Sequence, residues 1–127
     1  MGQYLIDTNV VSDYLSASFS AKGTAFLDDI IDAIPHISVI TQIELLCWDA
    51  GAATEQKVKN FIADSVIMEI DSEVISRCVS LRKGKRIKTP DAIIAATALA
   101  NEYVLVTGNE RDFANIGGLE IINPMRI

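Results

Sequence analysis

Short apolar runs rich in Val, Ile and Leu recur along the chain, separated by segments whose apolar residues repeat at helical spacing. This alternation limits the possible folds more than any other feature. Parallel strands need crossovers of a dozen or more residues, which helices supply, and the sheet they form is covered on both faces. The expected architecture is therefore α/β, with three α/β/α layers around a central parallel sheet of about five strands. A chain of 127 residues suits one hydrophobic core, and no linker, repeat or low-complexity tract divides it. A single domain over residues 1–127 is expected.

Strands are expected at residues 4–6, 36–40, 66–70, 103–106 and 119–122. Two helices should follow the first strand. One carries Val10, Val11, Tyr14 and Leu15, the other Phe26, Leu27, Ile30, Ile31 and Ile34, with Gly23 between them. Thr41-Gln-Ile-Glu44 has the form of a capping box and predicts a helix running to about Ala50, closed by Gly51. A further helix begins near Thr54 and buries Val58, Phe61 and Ile62. Asp71 or Ser72 caps the next, which Gly84 ends. Thr89-Pro90-Asp91 combines a hydroxyl cap, a proline at the first helical position and an acid in the first turn, a strong helix start. Residues 107–113 read as a polar loop.

Four acids fall where strands end or helices begin. Asp7 directly follows the first strand, Glu44 lies shortly after the second, Asp91 opens a helix and Asp112 follows the fourth strand. In open parallel sheets ligands bind beyond the carboxyl ends of the strands, where such positions gather. Each acid has an ordinary explanation: Glu44 as a capping partner, Asp91 as a complement to the helix dipole, Asp112 as a solvated loop residue. Asp7 is harder to dismiss, because a charge leaving an apolar strand needs a partner and no nearby Lys or Arg offers one. A metal would supply it, and oxygen-only ligands suit Mg²⁺ or Mn²⁺.

Asp7-Thr8-Asn9, Glu44, the run Thr89-Pro90-Asp91-Ala92-Ile93-Ile94-Ala95-Ala96 and Thr107-Gly108-Asn109-x-x-Asp112-Phe113 resemble the PIN domain, most closely the VapC-type ribonuclease toxins of toxin–antitoxin pairs. The resemblance covers essentially the whole chain. It implies Mg²⁺- or Mn²⁺-dependent endonucleolytic cleavage of RNA to 5′-phosphate and 3′-hydroxyl ends. It also implies an acidic quartet of Asp7, Glu44, Asp91 and Asp112, supported by Thr107 and Asn109, and a cognate antitoxin and a homodimer as partners. Thr8 is expected to cap the first helix rather than to take part in catalysis.

The net charge of −6 argues at first sight against a nucleic-acid partner. Divalent ions at a carboxylate cluster would reverse that locally. Packing like charges together should also raise the pKa of at least one acid. Residues 82–88 hold five of the eleven basic residues just before Asp91. They can be a solvated helix end or a phosphate-binding strip, with Lys85 and Arg86 as substrate contacts. Leu45, Leu46, Cys47 and Trp48 form an apolar run wider than one helix face needs, so they either fill the domain's own core or meet a second subunit or an antitoxin.

Other chemistries find less support. Cys47 and Cys78 lack metal-ligand or redox spacing and are expected reduced and buried. The one histidine, His36, begins an apolar strand, which disfavours histidine-pair ribonuclease chemistry, H-E-x-x-H zinc sites and a Ser-His-Asp triad. A haloacid-dehalogenase-type phosphatase would need a second aspartate where Asn9 stands. Nucleotide-binding glycine patterns are absent, and Gly117-Gly118 is an ordinary turn. The non-enzymatic alternative is a PIN-like module that binds RNA or protein without cutting. No apolar run approaches the roughly 20 residues of a membrane-spanning helix, and a strand-like segment stands where a signal peptide would be. A cytoplasmic location is expected.

Overall fold

The computed structural model describes residues 3–127. Its elements alternate along the chain: β1 (Gln3–Ile6), α1 (Thr8–Leu15), α2 (Ala21–Asp32), β2 (His36–Ser38), α3 (Val39–Leu46), α4 (Ala52–Ala63), β3 (Val66–Met68), α5 (Ser72–Gly84), α6 (Thr89–Asn101), β4 (Tyr103–Val106), α7 (Glu110–Phe113) and β5 (Ile121–Ile122), closed by a 3₁₀ turn at Pro124–Arg126. All five strands are parallel, in the order β3-β2-β1-β4-β5. The chain steps outward from β1 through β2 to β3, then returns past β1 to add β4 and β5 on the other side. The crossovers therefore diverge between β1 and β4. In such sheets this switch point opens a crevice at the carboxyl ends of the strands.

Strand alternation splits the interior into two cores. Leu5 and Leu105 project to one face, against Ala92, Ile94, Ala95 and Ala98 of α6 and Phe113 of α7. Their neighbours Ile6 and Val106 project to the other, against Val10 and Val11 of α1, Leu27 of α2, Leu45 of α3 and Phe61 of α4. The result is the three-layer α/β/α arrangement. Removing one of these fully buried leucines to alanine costs about 2–5 kcal/mol in a close-packed interior, so both layers are needed to hold the central strands.

Several local expectations shift. β2 stops at Ser38, whose Oγ accepts from the Thr41 N–H at 3.0 Å and caps α3. Val39 and Ile40 thus belong to the helix, and Glu44 lies in its second turn, outside capping range of Thr41. The capping-box reading of Glu44 falls with that geometry. α3 ends at Leu46 rather than near Ala50, and Gly51, at φ 92°, begins α4 instead of closing α3. Gly23 lies inside α2, buried, where a Cβ would meet the Pro124 carbonyl oxygen at 2.8 Å. Its missing side chain lets the closing turn pack on α2. Ile34 falls past α2 and is exposed.

Thr89 is the first residue of α6, so the cap position falls on Lys88, whose side chain has no acceptor, and the Thr89 hydroxyl accepts from Arg82. The expected loop at residues 107–113 contains α7. Both cysteines are unpaired, yet Cys47 is exposed and Cys78 half-buried, not both buried. Among the described residues no helix is long and apolar enough to cross a membrane.

Candidate active site

Asp7 ends β1 at the switch point. Its backbone N–H donates to the Val106 carbonyl of β4 at 2.9 Å, so the last rung of the central ladder holds it in place. The side chain then caps α1, Oδ1 accepting from the Thr8 N–H at 2.8 Å. Oδ2 accepts from the Thr107 hydroxyl, also at 2.8 Å, from the fully buried start of the loop after β4. Asp7 is only 5% exposed. Burial pushes its pKa up to about 6; the Thr107 and Thr8 hydrogen bonds oppose the rise, and the charges of Asp91 and Glu44 add to it.

Thr8 does not cap α1; Asp7 does. The Thr8 hydroxyl instead donates to Glu44 Oε1 at 2.6 Å, joining the helix after β1 to the helix after β2. Behind it, the Thr8 and Thr41 hydroxyls are 3.1 Å apart, and the Ser38 hydroxyl donates to Thr41 Oγ1 at 3.3 Å. A hydroxyl has one proton, and the carboxylate is the stronger acceptor. The donors therefore run from Ser38 through Thr41 and Thr8 to Glu44. Sequence reasoning missed this chain, since its ends lie in different local motifs.

Asp91 is half-buried in the first turn of α6. Its pKa is raised first by burial, then by the charges of Asp112 and Glu44, against a lowering by Lys88. Asp112 stands on α7 and accepts from Asn109 Nδ2 at 2.8 Å, and the Asn109 N–H donates to Thr107 Oγ1 at 3.0 Å. Asn9 Oδ1 accepts from the Gly108 N–H at 3.4 Å. The first turn of α1 and the loop after β4 are thereby tied together.

Asp7, Glu44, Asp91 and Asn109 line one open cleft of roughly 620 Å³, together with Thr8, Asn9, Ser12, Asp13, Ser16 and Trp48. Asp112 faces a smaller adjoining niche, which it shares with Asp91, Arg86 and Lys88. Asp91 thus borders both spaces, with Asp7 and Glu44 in the cleft and Asp112 in the niche. Among the described residues no three acid, histidine or cysteine side chains converge tightly enough to enclose an ion. The like-charge repulsion expected from the sequence is present, but burial outweighs it at both Asp7 and Asp91.

The basic strip divides. Arg86 lines the niche beside Asp91 and Asp112, whereas the Lys85 amine donates to the Ala114 carbonyl at 2.8 Å. Lys85 therefore serves first to tie α5 to the loop after α7, a role not expected from sequence. In the apolar run, Leu45 fills the core, Leu46 and Cys47 are exposed, and Trp48 lines the cleft.

A family model described as the PIN domain matches residues 4–119. The chain belongs to the PIN-domain family. No curated protein sequence matches it. Among solved structures, it is similar to a chain of a toxin–antitoxin complex from Klebsiella pneumoniae, with 31% identity, a TM-score of 0.74 and coverage of 95% of this chain and 97% of that one. It also resembles a chain of DNA-bound VapBC from Salmonella typhimurium, with 22% identity, a TM-score of 0.79 and coverage of 98% and 99%. A third likeness is to VapBC2 from Rickettsia felis bound to a promoter DNA fragment, with 22% identity, a TM-score of 0.77 and coverage of 94% and 97%. The PIN-family match spans every element that carries the acids, from β1 to α7.

Proposed function

We propose that this PIN-domain protein is a metal-dependent endoribonuclease, and that it acts as the toxin of a type II toxin–antitoxin pair. The observation that carries the reading is Asp7: a carboxylate held almost out of solvent at the sheet's switch point, facing a cleft that Glu44 and Asp91 also line. Burying an acid without a cationic partner is costly. A site that normally receives a cation accounts for that cost.

The donor set is all oxygen, which fits Mg²⁺ or Mn²⁺ that keeps several of its waters. Asp7, Glu44, Asp91 and Asp112 would hold it. Once bound, such an ion supplies Lewis-acid polarisation of the phosphodiester and a more acidic water. The protein's own residues prepare the site. Thr107 and the Thr8 N–H fix both oxygens of Asp7, the Thr8 hydroxyl orients Glu44, and Asn109 orients Asp112. Arg86 and Lys88 flank the acids and attract the RNA backbone, offsetting the negative charge of the cleft.

The toxin assignment, with a cognate antitoxin and a homodimer as partners, draws on the likeness to chains of toxin–antitoxin complexes. A second reading is a PIN-like module that binds RNA or protein without cutting, favoured by the lack, among the described residues, of three acid, histidine or cysteine side chains that converge on an ion site. Incubating the purified protein with mixed cellular RNA in Mn²⁺ or in EDTA separates the two. Cleavage confined to Mn²⁺, giving 5′-phosphate and 3′-hydroxyl ends, supports the nuclease. Binding without cleavage in Mn²⁺ supports the module.

A further inference from the structure

The cleft has a feature that phosphodiester hydrolysis by acids does not use. Trp48, the sole tryptophan of the chain, lies in the turn after α3, its backbone N–H donating to the Leu45 carbonyl at 3.2 Å. It is half-buried. One side packs against the core that contains Leu45 and Val58, and the rest lines the same cleft as Asp7, Glu44 and Asp91. Among the described residues the aromatic contacts are Tyr4 with Phe26 and His36 with Tyr103, so no other ring covers the indole.

We propose that Trp48 is a stacking platform for an unpaired RNA base next to the scissile phosphate. The inference rests on the ribonuclease reading above. Glu44 on α3 and Trp48 in the turn that follows it line one cleft with Asp7 and Asp91, so the acids and the indole share one channel. Asn9, Ser12 and Asp13 of α1 and Ser16 at its C-cap also line the cleft, Asp13 as a further carboxylate. A channel that holds the acids, an aromatic face and short polar groups suits a nucleotide with its phosphate held near the acids through a bound cation and its base on the ring. Only a base splayed out of a helix can reach such a ring, and RNA readers take such bases on aromatic side chains. A base in a duplex remains stacked on its neighbours and is excluded.

The test starts from a mixed-sequence oligoribonucleotide cut by the wild type in Mn²⁺, with the cut site mapped. The same RNA is then made with a single abasic ribose on either side of the cut. Trp48→Leu keeps an apolar group against the core and removes the aromatic face; Trp48→Phe keeps a ring. Trp48→Leu should lower kcat/KM on the intact RNA by roughly 5- to 150-fold, the range for loss of one base stack, and Trp48→Phe should lose much less. Wild type should lose a similar factor when the stacked base is absent, while Trp48→Leu should be indifferent to that loss, a coupling that a purely structural role would not produce. Intrinsic fluorescence gives an independent readout: the intact RNA bound to Asp91→Asn should quench the lone tryptophan. Equal losses in both proteins at every abasic position, or binding by anisotropy without quenching, overturns the stack while leaving the ribonuclease in place; the cleft ring is then the seat of a protein partner. Absence of any cleavage by wild type overturns the ribonuclease reading and the stack with it.

Discussion

Asp7→Asn in metal-free protein separates the electrostatic cost of the site from its hydrogen bonding. Burial holds the Asp7 carboxyl at about 6, against 3.8 for an unburied aspartate. At 1.36 kcal/mol per unit, ionised Asp7 destabilises the metal-free fold by about 3 kcal/mol. Because the folded-state pKa is the higher one, this destabilisation is fully present above pH 6 and fades as pH falls from 6 towards 3.8. Asparagine removes the charge at nearly constant volume. Its oxygen can still accept from the Thr8 N–H, but its amide cannot accept the Thr107 proton, a loss of about 1–2 kcal/mol at a buried hydroxyl. The net gain at pH 7.5 in EDTA is about 1–2 kcal/mol, or a melting temperature roughly 3–8 °C higher for a domain of this size. Thermal melts of both proteins in EDTA at pH 7.5 and pH 4.5 measure it. The advantage of Asp7→Asn should shrink or reverse at the lower pH. A variant that melts below wild type at pH 7.5, or a difference that does not change with pH, refutes the claim that Asp7 is held charged at a cost.

Thr8→Val removes the donor to Glu44 while keeping the side-chain shape; it should raise the Mn²⁺ concentration needed for half-maximal cleavage by about 10- to 100-fold, read from a metal titration, and, by leaving the buried Thr41 hydroxyl without its acceptor, lower stability by about 1–3 kcal/mol, read from chemical denaturation. Arg86→Gln should flatten the salt dependence of RNA binding by about one unit of slope, whereas Lys85→Gln, which loses its bond to Ala114, should act mainly on the melting temperature; filter binding from low to moderate salt and a melt distinguish them. Gly23→Ala should lower stability by about 1–2 kcal/mol, since the clash with the Pro124 carbonyl exceeds the helix-propensity gain of about 1 kcal/mol, and chemical denaturation checks it.

The parts of the fold legible in the sequence are those that contiguous patterns specify. β4 is a fully apolar run bounded by Glu102 and Thr107, and β1 ends where Asp7 interrupts it, so both strands and the acid between them could be placed from local pattern. Asp71 caps α5 as one of the two expected residues. The start of α3 was not legible, because Val39 and Ile40 extend an apolar run that a strand and a buried helix face share. Which of two hydroxyls, Ser38 or Thr41, caps the helix depends on where the sheet ends, and that is set by pairing with β3. The Thr8 bond to Glu44 spans 36 positions in sequence and leaves no local trace. The same holds for Lys85 and Ala114, which looked like part of a uniform basic strip. Cys47 could not be placed by residue type, since its exposure follows from α3 ending one residue earlier.

The central claim is that the four acids make a metal-dependent ribonuclease, and Asp91, which borders both the cleft and the niche, tests it most directly. Cleavage of one RNA by wild type and by Asp91→Asn, each in Mn²⁺ and in EDTA, with circular dichroism to establish that the variant is folded, is the deciding measurement. The account predicts cleavage by wild type in Mn²⁺ alone and a loss of at least 100-fold in folded Asp91→Asn, on the order of what removal of a key transition-state-stabilising group costs. Cleavage by wild type that persists in EDTA, or folded Asp91→Asn that cuts at the wild-type rate, contradicts it.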